Sequence, residues 1–368
     1  MTQNLLSGAL VPTGKKMPGI HGLRAIAALM VMMPHVWLFS GFAGPGFLRP
    51  VASLCGFGVH LFFVLSAFSL FNSTKSERFD HFEYAIKRLF RIAPLFYLVF
   101  IYFALVGKSP SFEVVVLNLT FLFGLFQGAA TSGVPGGWSV GVEMIFYAAL
   151  PFILTTCRTQ ASYAILALLG TVVSWASYRY IWLADPAAAL TFVPYYFISF
   201  SSNIAPFCLG LLAFAIYRDS IDKRRTAAVS AALTVILLLF LLLTPLRDYL
   251  RSLNRPGALL LFVAFASAAV WQASRPSWLM SNALMQYLGE RSYSLYLIQA
   301  PILMALKPVF LKTNSVIGPM AFFPNFILAV VIVSVAASVT YRLVEVPGVN
   351  LGRRIIEGRR NIQLAPAE

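Results

Sequence analysis

Apolar runs about as long as a bilayer is thick recur along almost the whole chain of 368 residues. A helix that crosses the hydrocarbon core needs about 20 apolar residues. Ten runs approach or exceed that length: 20–41, 54–72, 88–107, 139–156, 162–180, 192–217, 227–245, 257–274, 292–311 and 320–341. Only 11% of the residues are charged and 59% are hydrophobic, which excludes an ordinary soluble domain. The sequence therefore predicts an all-α integral membrane protein with about ten transmembrane helices.

The formal net charge of +15 sits in short loops between these runs. Such a bias is typical of cytoplasmic loops that contact anionic lipid, so we expect a lipid bilayer and no nucleic acid as partner. The three cysteines are far apart, and no Cys/His cluster has metal-ligand spacing. We therefore expect neither a metal site nor a disulfide framework. Residues 1–18 lack the pattern of a signal peptide, so we expect the first apolar run to stay as an anchor.

The basic residues near the two ends predict that both termini are cytoplasmic. These residues are Lys15, Lys16, Arg353, Arg354, Arg359 and Arg360. Two cytoplasmic termini require an even number of spans. A shorter eleventh run at 112–127, which contains Asn118, is therefore predicted to be a re-entrant or peripheral helix. One group of basic residues opposes this topology by falling on the outer side: Arg247, Arg251 and Arg255.

The spans occupy nearly the whole sequence and leave no room for a second soluble domain. We therefore expect a cytoplasmic N-terminal tail at residues 1–18, a transmembrane domain at residues 19–345, and a basic cytoplasmic C-terminal tail at residues 346–368.

The first apolar run carries two ionisable residues, Arg24 and His35. Their separation of eleven positions places them on one helix face, about three turns and roughly 16 Å apart. Pro34 is expected to kink the helix just before the histidine. The topology puts Arg24 at the cytoplasmic end and His35 beyond the midplane. Ionisable groups inside a membrane indicate function, and imidazole is a common general base, so His35 is a candidate base.

Arg88 and Arg91 begin the third apolar run and lie three positions apart. That spacing places both guanidinium groups on the same helix face, just before Pro94. Two guanidinium groups that point the same way can grip a phosphate through paired hydrogen bonds. The pair therefore indicates a phosphate-binding site at the cytoplasmic face.

Ser139, Glu143 and Tyr147 recur at every fourth position and predict a polar stripe at the outer end of the fourth run. Glu143 lies within an apolar stretch and needs a partner there. Near the end of the chain, Arg342 and Glu345 are spaced for a structural ion pair at the cytoplasmic face.

Six stretches in this order resemble the acyltransferase-3 family of membrane O-acyltransferases over about residues 17–355. Three are the pair Arg24 and His35, the pair Arg88 and Arg91, and "LFFVLSAF", which contains Ser66 and has Ala67 where glycine is usual. The others are "WSVGVE" from Trp138 to Glu143, "RSYSLYLIQAP" and "YRLVEVPG". The sequence departs from the family pattern at Gln299, where histidine is common, and at His60, where an acid is frequent.

The resemblance implies transfer of an acyl group, usually acetyl, from acyl-CoA to a hydroxyl of a glycan or a lipid-linked sugar. Acyl-CoA would be a donor substrate, with no permanently bound cofactor, and the protein would lie in the cytoplasmic membrane. The implied roles are phosphate binding by Arg24, Arg88 and Arg91, and catalysis by His35 with Glu143. Glu143 would orient or charge-balance His35, or bind the acceptor. Four residues would support the acceptor side: Ser66, Trp138, Ser139 and Tyr147.

Two other classes of function stay open at this stage. A transporter of glycans or lipids would also place buried charges in a bundle of spans, although the chain shows no matching halves. A scaffold that retained the fold without activity is the other alternative. The sequence also leaves open whether transfer is direct or passes through an acyl-enzyme intermediate.

Overall fold

A computed structural model of the chain describes residues 17–42, 44–73, 80–107, 110–126, 131–184, 195–243 and 256–364. Within these ranges the regular structure is helical, and no strand is present. Helices α1 to α8 are Pro18–Phe39, Arg49–Cys55, Gly58–Ser73, His81–Val106, Phe112–Thr120, Trp138–Thr156, Gln160–Ala184 and Tyr195–Ile198. Helices α9 to α16 are Ile204–Asp219, Lys223–Leu243, Pro256–Ser274, Trp278–Ser281, Ala283–Glu290, Ser292–Ile317, Phe322–Thr340 and Val346–Leu364.

Seven helical stretches of the described chain are long and apolar enough to cross a membrane: Pro18–Phe39, Gly46–Phe71, His81–Val106, Trp138–Thr156, Gln160–Ile181, Lys223–Leu243 and Ser292–Ile362. The last stretch contains α14 and α15, which pack against each other. Two predicted spans are shorter, since α9 has 16 residues and α11 supplies the short apolar helix Ala258–Ser274. The structure supports a multi-pass membrane protein; the count of ten and the cytoplasmic termini stay predictions.

The outward faces of α7 and α10 are those of helices that contact lipid. Leu168 on α7 is 65% exposed and Ile236 on α10 is 62% exposed. A soluble protein rarely presents such continuous apolar surface to water. The exposed apolar faces of these two helices therefore indicate that the protein is surrounded by lipid.

The eleventh apolar run forms a helix that is too short to span a membrane. Helix α5 has nine residues and rises about 14 Å, against a hydrocarbon core of about 30 Å. The residue that follows it, Phe121, has a left-handed φ of 59° and caps the helix. A 3₁₀ turn, Leu122–Leu125, follows directly. This geometry agrees with a re-entrant or peripheral element.

Helix α1 is central because small residues let several helices approach it closely. Gly19 and Gly22 lie against the backbones of Gln272 and Met280. Helix α14 runs beside α1 in the same direction. His21 lies against Gly289 just before α14, and Asn314 near its far end donates to the Ser40 carbonyl at 2.5 Å.

The basic tail beyond residue 345 contains a helix, α16, that the sequence analysis did not predict. A π-helical turn, Tyr341–Glu345, joins it to α15. Gly348 and Gly352 lie against Phe90 of α4. Further along, Arg359 lies 3.6 Å from Asp80, which caps α4, and the Glu83 amide with Arg359 lowers the pKa of that carboxyl. The tail therefore braces the turn of α4 that carries Arg88 and Arg91.

Several basic residues used for topology lie outside the described residues. They are Lys15, Lys16, Arg247, Arg251 and Arg255.

Changing Gly289 to alanine is expected to destabilise the packing of α13 on α1. A Cβ at this position would lie 2.1 Å from the His21 carbonyl oxygen, so the backbones must separate. Such overpacking typically costs about 1–3 kcal/mol. The measurement is the thermal midpoint of the purified protein in detergent.

Gly358→Ala is the matched control, because Gly358 lies in α16 with nothing within 4 Å of the added Cβ. Alanine is favoured over glycine within a helix by about 1 kcal/mol. Equal thermal midpoints for the two variants would contradict the close approach at Gly289.

Candidate active site

Three arginines from two helices lie within electrostatic range of one another, namely Arg24 of α1 with Arg88 and Arg91 of α4. Each is half-buried. Arg88 and Arg91 are both among the charges that act on Arg24. The i,i+3 spacing keeps the two α4 residues on one face, and the fold brings that face towards α1. The two motifs that the sequence analysis assigned to phosphate binding therefore lie in one cluster.

Glu143 of α6 lies within the same cluster. The hydroxyls of Ser66 on α3 and Tyr147 on α6 both donate to Glu143 Oε1. Tyr147 is placed by its i,i+4 spacing, and its main-chain carbonyl accepts a 3.0 Å bond from Tyr84. The Glu143 carboxylate is among the charges that act on both Arg24 and Arg88. The polar stripe of α6, which was expected on the acceptor side, thus includes a residue of the arginine cluster, Glu143.

The arginines keep unused hydrogen-bonding capacity. In the described part of the chain, none of the three forms a salt bridge. Arg88 Nε is buried and has no acceptor among the described residues. Buried donors are normally satisfied, and guanidinium groups match the oxygens of phosphate and carboxylate. The cluster is therefore suited to an anion.

A second carboxylate, Glu345, approaches the cluster from the π-helical turn. It is 4% exposed and accepts a bond from Ser294 Oγ. Arg91 is one of the charges that act on it. The expected pair between Arg342 and Glu345 is wrong, since no salt bridge of the described residues joins them. The π-helical turn directs Glu345 inward, while Arg342 is exposed. A π-helical turn inserts an extra residue into a helix, and such turns are frequent at functional sites.

His35 lies further along α1, which stays helical through Pro34. Its side chain is half-buried and interacts with that of Gln299 on α14. Glu143 is not among the interactions that the described residues give to His35. The structure thus places Glu143 with the arginines and Gln299 with the histidine.

A buried pair of hydroxyls links α6, which carries Glu143, to α14, which carries Gln299. Ser139 Oγ and Tyr296 Oη are 2.7 Å apart, and Tyr296 also donates to the Gly136 carbonyl at 2.6 Å. Ser139 is one turn from Glu143 on α6, and Tyr296 is one turn from Gln299 on α14. Trp138 is buried and contacts two phenylalanine rings edge-on. Ser139 therefore joins the helix of Glu143 to the helix of Gln299, and Trp138 packs beside it in the core.

Sequence reasoning missed four residues of this site. Tyr296 and Ser294 belong to a quoted motif, "RSYSLYLIQAP", and the presence of polar residues within an apolar run was the available signal. Tyr293 is also in that motif and donates to the Ile92 carbonyl at 2.8 Å. Tyr84 stands outside every motif. His60, which departs from the family pattern, is fully buried and stacks on Phe262 with ring centroids 4.8 Å apart.

Among the described residues, no group of three or more His, Cys, Asp or Glu side chains is arranged to hold a metal ion. The three cysteines are free thiols.

Residues 17–339 match the family model Acyl_transf_3, which describes an acyltransferase domain. The chain belongs to the acyltransferase-3 family. The match covers most of the chain, so the resemblance seen in the sequence motifs is confirmed. Arg24, His35, Arg88, Arg91 and Glu143 all lie within the matched region.

Two relatives of the acyltransferase-3 chain carry related names. This chain is 26% identical over 377 residues to the peptidoglycan O-acetyltransferase OatA of Listeria monocytogenes, and the match covers 90% of this chain and 56% of that protein. It is 25% identical over 371 residues to the putative peptidoglycan O-acetyltransferase YrhL of Bacillus subtilis, covering 90% and 54%. The chain thus spans about half the length of these relatives. No solved structure matches it.

Proposed function

We propose that this protein is a membrane O-acyltransferase that moves an acyl group, most simply acetyl, from cytosolic acyl-CoA to a glycan hydroxyl. The observation that carries the proposal is the cluster of Arg24, Arg88 and Arg91. Its positive charges and open donors sit three helical turns from His35 along α1. Family membership supports the reaction class, and the names of the two relatives support acetyl as the group and a glycan as the acceptor.

The arginine cluster is the proposed site for the donor's phosphates. Coenzyme A carries several phosphate charges at one end and the reactive thioester at the other. Binding the phosphates at the cluster would let the pantetheine arm extend along α1. The separation from Arg24 to His35, roughly 16 Å by helix rise, is within the reach of that arm. The donor would thereby bring its thioester to the histidine.

His35 is the proposed general base. It accepts the proton of the acceptor hydroxyl while the hydroxyl oxygen attacks the thioester carbonyl carbon. A carbon–oxygen bond forms and a tetrahedral oxyanion results. When that intermediate collapses, the carbon–sulfur bond breaks and the thiolate takes the proton from the imidazolium. The products are the acyl ester and free coenzyme A, and His35 returns to its neutral form.

Glu143 takes a supporting role in this scheme. Held by Ser66 and Tyr147, its carboxylate offsets part of the charge of the arginines and limits their mutual repulsion before the donor arrives. Ser139 and Trp138 would support the acceptor side, where Ser139 is held by Tyr296. The acceptor would be a glycan or lipid-linked sugar at the outer side of a bacterial cytoplasmic membrane.

The direct test is an acyl-transfer assay with the full chain purified in nanodiscs. Acetyl-CoA labelled in the acetyl group would be incubated with peptidoglycan fragments, other cell-surface polysaccharides and lipid-linked sugars. We expect alkali-labile label in a glycan and stoichiometric release of free coenzyme A thiol.

Binding or translocation of a glycan without label transfer would overturn the proposal in favour of a transporter. Binding of neither substrate would favour a non-catalytic scaffold. Label that remains on the protein when the acceptor is omitted would indicate an acyl-enzyme route instead of direct transfer.

A further inference from the structure

Gln299 is a buried amide whose orientation is set by its own helix. It is 2% exposed. Its Nε2 donates a 2.9 Å bond to the main-chain carbonyl of Tyr296. A carbonyl oxygen can only accept, so the amide nitrogen must point to Tyr296 and Oε1 must point away from it.

The remaining amide atom, Oε1, lacks a donor. It is buried, and no hydrogen bond of good geometry reaches it from the described residues. An unsatisfied buried acceptor destabilises the folded state, so such atoms are normally paired. The neighbouring polar side chain is His35: α1 and α14 run side by side from the contact of His21 with Gly289 to the bond of Asn314 with Ser40, and within this stretch the Gln299 side chain interacts with His35.

The pairing of an amide oxygen with a neutral imidazole determines the tautomer of the imidazole. Neutral imidazole has one N–H donor and one lone-pair acceptor, and the partner of one nitrogen determines the state of the other. Because Oε1 accepts and cannot donate, the His35 nitrogen that faces it must carry the proton. The opposite nitrogen then carries the lone pair that a general base requires.

We propose that Gln299 is the positioning residue of His35, and that its amide oxygen selects the tautomer in which the nitrogen turned away from α14 acts as the base. This inference rests on the proposed function for its catalytic meaning. It also accounts for the departure of this chain from the family pattern, because an amide with a fixed orientation serves the histidine without being a proton acceptor itself.

Other titratable groups near these helices do not supply the same contact. The helices packed on α1 include α2, α3, and α11 to α15. On α3, His60 is enclosed by four phenylalanine rings. Tyr296 of α14 is engaged with Ser139 and Gly136. No charged side chain of the described residues is among the interactions of His35.

The test uses histidine-selective ¹⁵N labelling, because the chain has only four histidines. The His35 signals are assigned by their loss in His35→Gln. In the wild type we expect one tautomer of His35. In Gln299→Leu, which keeps the volume and removes the acceptor, we expect both tautomers and a kcat about 10–100-fold lower. The KM values for acetyl-CoA and for the acceptor should stay unchanged.

Gln272→Leu is the matched control. Gln272 is equally buried, and its Oε1 accepts from the Ser277 amide at 2.9 Å. It lies against Gly19, sixteen residues or roughly 24 Å along α1 from His35. Its loss should leave the His35 spectrum and kcat as in the wild type. Gln299→Glu keeps an acceptor oxygen and should recover part of the turnover.

An unchanged single tautomer in Gln299→Leu would overturn the proposal. A kcat loss in Gln272→Leu that equals the loss in Gln299→Leu would also overturn it, because both would then be folding effects. The spectra do not depend on turnover. If the wild type transfers no acetyl label, the proposed function fails, while the ¹⁵N signals still decide whether Gln299 selects the tautomer.

Discussion

Replacing His35 with alanine is expected to lower the kcat of acyl transfer by about 10²–10⁴-fold, the range that general bases contribute. The hydroxyl would then have to attack the thioester without losing its proton to a positioned group. Donor binding should persist, because the arginine cluster lies about three turns away along α1. The measurement is the initial rate of label transfer at saturating acetyl-CoA, with the binding of acetyl-CoA measured in parallel.

His81→Ala is the control for this variant, since His81 is exposed at the start of α4. It should keep the wild-type rate. The thermal midpoint of His35→Ala should stay close to that of the wild type, because its side chain is only half-buried. Near-normal transfer by His35→Ala would show that His35 is not the base.

Replacing Arg88 and Arg91 together with glutamine is expected to weaken acetyl-CoA binding by about a hundredfold or more. Hydrogen bonds to charged groups contribute about 1.5–3 kcal/mol each, and the change removes two guanidinium groups. The KM for the acceptor should change little. The measurement is the dissociation constant of acetyl-CoA and its dependence on salt, which should become shallower.

Arg353→Gln with Arg354→Gln is the matched double control. Both arginines are exposed on α16, so the same net charge is lost away from the cluster. Arg88→Lys with Arg91→Lys should fall between the two, because lysine keeps the charge and loses the planar pair of donors. Equal donor affinity in the glutamine variant and the control would refute the phosphate site.

The arginine cluster shows what helical periodicity can predict and what it cannot. Arg88 and Arg91 share a face because they are three positions apart, and Arg24 shares a face with His35 for the same reason. Both statements concern one helix at a time. That Arg24 and Arg91 are electrostatic neighbours depends on how α1 and α4 approach, and periodicity does not contain that information.

Glu143 and Glu345 show where such reasoning ends. Regular spacing placed Glu143 in a stripe with Tyr147, which the structure bears out through their hydrogen bond. A spacing of three positions paired Glu345 with Arg342, and there a π-helical turn changed the register and turned Glu345 inward. A single extra residue in a helical turn does not change the local composition, so the π-helical turn could not be predicted from the sequence alone.

The sequence by itself determined the class of this protein, its succession of apolar helices, and the residue types available for chemistry. These follow from local composition and period, because burial in lipid demands about 20 apolar residues and makes each retained charge stand out. The tertiary structure alone decided which charges meet. It placed Glu143 with the arginines and Gln299 with His35, because the packing of small residues between helices sets their neighbours and relative depth.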